Sequence, residues 1–144
     1  MADLSITVRS VTGTLQVARV RDHVVICDLP EGSGTDLGPT PSEIFLTAMA
    51  DCVAMVTCGF CRARGISPEG LEVTVEADRA KDEKGVGYWG NIRLKIKLPA
   101  GFPEDRAKAL LRYLHGGCPV TATIGRSSVD YEVMTPAEAL CQNG

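Results

Sequence analysis

The chain has 144 residues, enough for one hydrophobic core, and a single domain over 1–144 is expected. Hydrophobic residues make up 44% and charged residues 23%, the composition of a globular chain and not of a disordered one. Fifteen basic against eighteen acidic side chains leave a net charge of -3, which gives no sign of a nucleic-acid surface. The N-terminus MADLSITVRS lacks a signal-peptide core, and no apolar run approaches the ~18 residues of a membrane span. A cytosolic chain with no membrane partner is expected.

Taken in order, residues 1–30 read as an antiparallel meander. Ser5–Val8, Thr14–Val20 and His23–Cys27 are rich in β-branched residues, with turn signals at Thr12-Gly13 and Arg21-Asp22. A glycine-bearing loop from Glu31 to Gly38 follows. Thr40-Pro41-Ser42-Glu43 has the form of a capping box with proline at the first helical position. From there Ile44, Phe45, Ala48, Met49, Cys52, Val53, Val56 and Phe60 recur at helical spacing. The pattern predicts a long, largely buried central helix over 41–64, with Gly65 as its C-terminal cap.

Leu71–Ala77 alternates as a half-buried strand, Asp78–Gly87 reads as a charged hairpin loop, and Asn91–Leu98 alternates again. Ile92, Leu94, Ile96 and Leu98 fall on one face of that strand, and Arg93, Lys95 and Lys97 on the other. Glu104–His115 is predicted as a second helix ending at Gly116-Gly117. Val129–Met134 is a last strand, and Thr135-Pro-Ala-Glu138 resembles another capping box. The order βββ–α–ββ–α–β indicates an α+β fold, antiparallel sheet against a core helix.

The six cysteines, at 27, 52, 58, 61, 118 and 141, carry the chemical question. In a reducing compartment such residues are thiols, ligands or catalysts more often than structural bridges. Cys52 lies on the apolar stripe of the central helix, where a cysteine packs as a small hydrophobe or acts as a buried thiol. Cys118 follows Gly116-Gly117 and precedes Pro119, so it would cap a short helix whose free N–H groups favour a thiolate; the alternative is a structural residue after a glycine turn. His115 could add positive charge there if protonated.

Cys58-Gly-Phe-Cys61 is a CxxC, but near the C-terminus of a helix, where the dipole raises a thiol pKa. Joined by His115 and Cys118 it would make a zinc set of three cysteines and one histidine, without the stronger paired CxxC form. Cys27 and Cys141 read as structural or incidental. No nucleophile elbow, phosphate loop or HExxH motif is present.

Gly38-Pro-Thr-Pro-Ser-Glu-Ile-Phe-Leu-Thr-Ala-Met-Ala-Asp-Cys52, the helix running on to Arg64-Gly65-Ile66, and Cys118-Pro119-Val120 together resemble the OsmC/Ohr family of osmotically inducible and organic-hydroperoxide-resistance proteins. The resemblance spans nearly the whole chain. It implies an OsmC-like fold forming an intertwined homodimer, whose central helices pack together beside two reaction sites. It also implies thiol-based reduction of hydroperoxides without metal or organic cofactor.

Carried over by position, Cys52 matches the peroxidatic cysteine, whose thiolate attacks the O–O bond and becomes a sulfenic acid. Cys118 matches the resolving cysteine, and an external dithiol would reduce the resulting disulfide. The family's activating arginine falls near Thr12-Gly13, with Arg9, Arg19 and Arg21 nearby; Arg21 and Arg9 are the candidates. The glutamate that steadies it matches Ser42, with Glu43 one residue later, a rotation of ~100° about a helix axis. Phe45, Met49 and Met55 around Cys52 would favour an organic hydroperoxide. Two other readings stand beside this one: a non-enzymatic redox-sensing or ligand-binding dimer of the same fold, and the zinc module.

Overall fold

The computed structural model describes residues 3–124 and 129–141; within these, the side chains of 129–131 and 139–141 are left aside, so the expectation for Cys141 lies outside what is described. The chain divides into two compact units, residues 1–46 and 47–144.

The first unit is the meander. β1 (Thr7–Thr12), β2 (Leu15–Val20) and β3 (His23–Cys27) form one antiparallel sheet in the order β1-β2-β3. β1 begins later and runs further than the β-branched cluster suggested. Arg9 and Ser10 pair with Val17 and Gln16, and a bulge before Thr12 absorbs the odd residue. The tight β2–β3 turn places Arg21 at φ 55, a left-handed conformation that two-residue hairpins demand.

Beyond β3 the loop is organised by one carboxylate. Asp28 is buried. It accepts bonds from Thr14 Oγ1 (2.6 Å), Thr35 Oγ1 (2.6 Å), Leu29 N (2.8 Å), Thr35 N (3.0 Å) and Leu37 N (3.3 Å). These bonds hold the Asp28 carboxyl well below its ordinary range, Thr14 and Thr35 contributing most, against the opposing effect of burial.

α1 (Pro41–Arg62) starts as the sequence predicts and runs 22 residues. Glu43 Oε2 accepts from Thr40 N (2.7 Å) and Thr40 Oγ1 (2.9 Å), while Glu43 N donates to Thr40 Oγ1 (3.3 Å). This is the capping box in full. At the far end Ile66 N bonds Cys61 O at 3.0 Å and Gly65 takes φ 67, the left-handed stop expected of it. α1 is more apolar than expected: by length and composition alone it is long and apolar enough to cross a membrane. It is less buried than expected: of its 22 residues only Met49, Val53, Thr57, Phe60 and Cys61 are buried, along one face, and the rest are partly or fully exposed.

In the second unit β4 (Glu72–Lys81) and β5 (Gly87–Lys97) form an antiparallel hairpin. Half of the predicted charged loop is therefore strand, and only residues 82–86 form the turn. After a bulge between Glu76 and Asp78 the ladder resumes through Arg79↔Trp89 to Lys81↔Gly87, and the Arg79 guanidinium lies 5.0 Å from the Trp89 ring centre. Alternation along β5 falls as read. Ile92, Leu94, Ile96 and Leu98 are buried, while Arg93, Lys95 and Lys97 pair with Asp78 (3.1 Å), Glu76 (3.0 Å) and Glu72 (2.7 Å) on the wet face.

A 3₁₀ turn (Glu104–Arg106) leads into α2 (Ala107–Gly117), followed by α3 (Pro119–Ile124), β6 (Val129–Met134) and α4 (Pro136–Cys141). β6 joins β5 in parallel, from Ile92↔Val129 to Lys97↔Met134, so this sheet is mixed where an antiparallel one was expected. The physical reason is the intervening crossover: two helices give the chain length enough to return and run in the same direction. Thr135 N and Oγ1 bond Glu138 Oε2 at 2.8 and 3.0 Å, the second capping box. The core of this unit joins Val53, Phe60 and Cys61 of α1 to Leu94, Ile96 and Leu98, to Phe102, and to Leu110, Leu114 and Cys118.

Candidate functional site: a buried thiol pair

The pair is positioned by packing and by one proline. Leu110 and Leu114 anchor α2 in the core. Helix geometry then continues through Gly116 and Gly117, two residues beyond the predicted end. A Cβ at Gly117 would meet Val56 Cγ1 of α1 at 3.4 Å, an ordinary packing distance, so the end of α2 lies against α1. Pro119 disfavours the helical conformation in the residue before it, and Cys118 is extended, with φ -99 and ψ 102. α3 then begins at Pro119, and Ala122 N bonds Cys118 O at 3.0 Å.

The result is that Sγ of Cys118 lies 2.7 Å from Sγ of Cys52, across 66 positions of sequence. Both thiols are free; Cys118 is buried and Cys52 half-buried. Their environments differ. Burial pushes the Cys52 thiol up, and so does its contact with Cys118, while the Val120 N–H works the other way. Burial also opposes charge on Cys118, but its contact with Cys52 and the effects of Thr121 and the Val120 N–H outweigh it, so this thiol lies below its ordinary value; the Thr121 hydroxyl donates to Cys118 O at 3.1 Å. α3 has only six residues, so individual N–H groups, more than a long dipole, act on the Cys118 sulfur.

Of the five residues singled out from the sequence, Cys52 and Cys118 come together. Glu43, Arg9 and Arg21 belong to the first unit. Glu43 is engaged by Thr40 through Oε2 and its carboxyl is lowered by those bonds, backbone first. Arg9 is exposed on β1, and Arg21 is exposed at the β2–β3 turn.

The CxxC does not join the pair. Cys61 is fully buried in the core, and its thiol is pushed up by burial and then by Cys58, with Arg64 opposing. Among the described residues no group of three or more histidine, cysteine and carboxylate side chains could hold a metal ion, so Cys58, Cys61, His115 and Cys118 do not form the zinc set. Asp28 was missed by sequence reasoning. Its signal was threonine at 14 and 35 about an aspartate in a glycine-rich loop, a pattern that periodicity does not register.

Fold and site together define an α+β chain with two juxtaposed thiols, one on a long helix and one at a Cys-Pro helix start. Residues 33–134 match the family model described as OsmC-like protein. The chain belongs to that family. No curated protein sequence matches it.

Among solved structures, an OsmC-like protein from Mycoplasma pneumoniae is 17% identical with a TM-score of 0.79, covering 93% of this chain and 97% of the other. An organic hydroperoxide resistance protein OsmC from Legionella pneumophila is 21% identical, with a TM-score of 0.67 and coverage of 94% and 98%. The organic hydroperoxide resistance protein OhrB of Bacillus subtilis is 21% identical, with a TM-score of 0.64 and coverage of 91% and 96%. At these identities the likeness concerns the fold.

Proposed function

We propose that this protein is a cytosolic, homodimeric thiol peroxidase that reduces organic hydroperoxides and acts as one domain over residues 1–144. The observation that carries the reading is the 2.7 Å separation of the Cys52 and Cys118 sulfurs. Two thiols at that distance need little rearrangement to become a disulfide. In the first step Cys52 sulfur attacks the distal peroxide oxygen, the O–O bond breaks, and the alcohol leaves. Cys52 is then a sulfenic acid. Cys118 attacks it, expelling water and forming the disulfide, and an external dithiol returns both to thiols.

No resident metal or organic cofactor enters this scheme. Cys52 is half-buried and packs against the apolar core cluster, surroundings that favour an apolar peroxide tail. Arg21 and Arg9 are the candidates for a cation that activates Cys52. Glu43, whose bonds to Thr40 both fall on Oε2, would steady a guanidinium through Oε1. The N-terminal sheet supports the homodimer reading: Val8 and Val25 on one face, and Val11, Val24 and Ile26 on the other, are exposed, and a second copy would cover such apolar surface.

The test is to mix reduced protein with an alkyl hydroperoxide and an excess of dithiol, following peroxide consumption and thiol loss. Catalytic consumption that disappears in Cys52→Ser is the expected result. No Cys52-dependent consumption would reject the proposal. Because Ser42 occupies the family's glutamate position, a redox-sensing dimer is the second reading, and stoichiometric oxidation without recycling would favour it.

A further inference from the structure

A reductant that recycles the thiol pair has to reach it from one side. Cys118 is buried and Cys52 half-buried, so an incoming thiol meets the disulfide at the Cys52 sulfur. Two contacts describe the neighbouring surface. Val56 of α1 lies against Gly117 of α2, and the Phe60 ring lies 5.5 Å from the Tyr113 ring. Numbers rise along one helix as they fall along the other, so α1 and α2 run antiparallel at this crossing. The Arg64 guanidinium, 3.6 Å from the centre of the Phe60 ring, adds a cation beside the same aromatic contact.

The outer face of α2 carries uncompensated positive charge. Lys108, Arg112 and Gly116 recur at i, i+4 and i+8, all three exposed, and α2 contains no acidic residue. Glu104 and Asp105 precede it, and Asp105 is 3.7 Å from Arg106. Among the described residues neither Lys108 nor Arg112 forms an ion pair, whereas Arg93, Lys95 and Lys97 on β5 each do. In a chain of net charge -3 this face is a local exception. Tyr113 is exposed on its flank and backed by Phe60, and at Gly116 a Cβ would meet nothing within 4 Å. The face therefore runs from two unpaired cations to a bare helix end beside Cys118.

We propose that this face of α2 docks an acidic protein carrying the reducing dithiol, with Lys108 and Arg112 holding its carboxylates while one of its thiols reaches Cys52. This rests on the disulfide cycle of the peroxidase reading above. A thiolate of the partner attacks the Cys52 sulfur, the Cys52–Cys118 bond breaks, and Cys118 leaves as a thiolate that takes up a proton. The partner's second thiol attacks its own sulfur in the mixed disulfide, and Cys52 departs and is protonated. Two electrons pass to this chain, and the partner is left with a disulfide. From Lys108 to Cys118 the helix rises about 15 Å, the scale of the small contacts, below about 1,200 Å² in total, that redox partners use. Opposite charge steers such encounters and raises their rate more than their affinity.

The test makes the disulfide with diamide, so that no peroxide is needed, and follows its reduction by the return of thiols. The probes are two peptides with the same Cys-x-x-Cys dithiol, flanked by glutamates in one and by lysines in the other, with dithiothreitol as an uncharged control. The net charge of the chain alone would favour the lysine peptide, so the direction of the preference discriminates. At low salt the glutamate peptide should react about tenfold faster, and the gap should close near ~0.5 M salt. Lys108→Glu/Arg112→Glu should reverse the preference and leave the dithiothreitol rate unchanged. Equal rates in wild type, or a preference that survives the reversal, would overturn the proposal.

Lys108→Gln/Arg112→Gln separates charge from fold: the glutamate peptide should lose its advantage while the dithiothreitol rate holds. A slower dithiothreitol reaction in both double variants would assign these side chains to the fold and overturn the docking role. A change of oligomeric state in the glutamate variant, with the peptide preference intact, would give the face to a second copy instead. Wild-type protein that shows the preference yet consumes no alkyl hydroperoxide would remove the peroxidase reading and leave the docking surface standing.

Discussion

Gly34 lies so close to Asp28 that a methyl group at its Cα would stand 2.7 Å from Oδ1, and 2.5 Å from Leu29 O. Two of the three nearest atoms belong to the hydrogen-bond network of the loop, and one is backbone, so neither side can yield easily. Gly34→Ala is expected to lower stability by about 1–3 kcal/mol, the usual cost of overpacking. Chemical denaturation of the two proteins side by side checks this; an unchanged midpoint would show that the loop relaxes freely.

Asp28 gives the loop a signature in acid. Its folded pKa is depressed, so the carboxylate stabilises the fold above its unfolded value of about 4 and that contribution fades as pH falls towards the folded value. Asp28→Asn should lower the thermal midpoint at neutral pH and flatten the decline in stability below about pH 4. A variant whose acid profile parallels wild type would show that the decline comes from other groups.

Oxidation should be confined to one pair. Treatment with a stoichiometric alkyl hydroperoxide, followed by alkylation and non-reducing peptide mapping, should link Cys52 to Cys118 and leave Cys27, Cys58 and Cys61 as thiols. A Cys58–Cys61 bond in preference would contradict the site, since Cys61 is closed in the core.

The start of α1 depends on a hydroxyl. Removing it in Thr40→Ala leaves the Glu43 N–H without its capping bond, and a loss of about 1 kcal/mol is expected from equilibrium unfolding. Thr40→Ser should recover most of it.

Arg21 separates a turn role from a chemical one. Its φ of 55 is a conformation that glycine adopts without penalty, so Arg21→Gly should gain up to about 1 kcal/mol in stability. The same change should slow peroxide consumption if this guanidinium is the activating cation. A variant that is more stable and fully active would remove Arg21 from the site.

Local patterns carried far along this chain. The capping boxes at Thr40 and Thr135, the stop at Gly65 and the buried face of β5 are where their residues placed them, because each is decided by neighbours within a few positions. The parallel docking of β6 on β5 was not legible, since strand direction depends on the path of the crossover and on no short pattern. The length of the β4–β5 hairpin was hidden by its charges: Lys81, Asp82 and Glu83 read as a solvated tip, while the Arg79–Trp89 contact that extends the ladder pairs residues ten apart. The thiol pair was legible only through the family resemblance. Periodicity placed Cys52 on a core stripe, and nothing local to residue 52 announces a partner at residue 118.

The late arrival of β6 has a consequence for synthesis. One edge of β5 has its backbone donors and acceptors satisfied only by a segment that leaves the ribosome after α2 and α3, so the nascent hairpin must wait with a hydrogen-bonding edge on offer. Chains halted or clipped before residue 129 would carry that sticky margin unprotected, and would be the species to look for in the insoluble fraction when this protein is made.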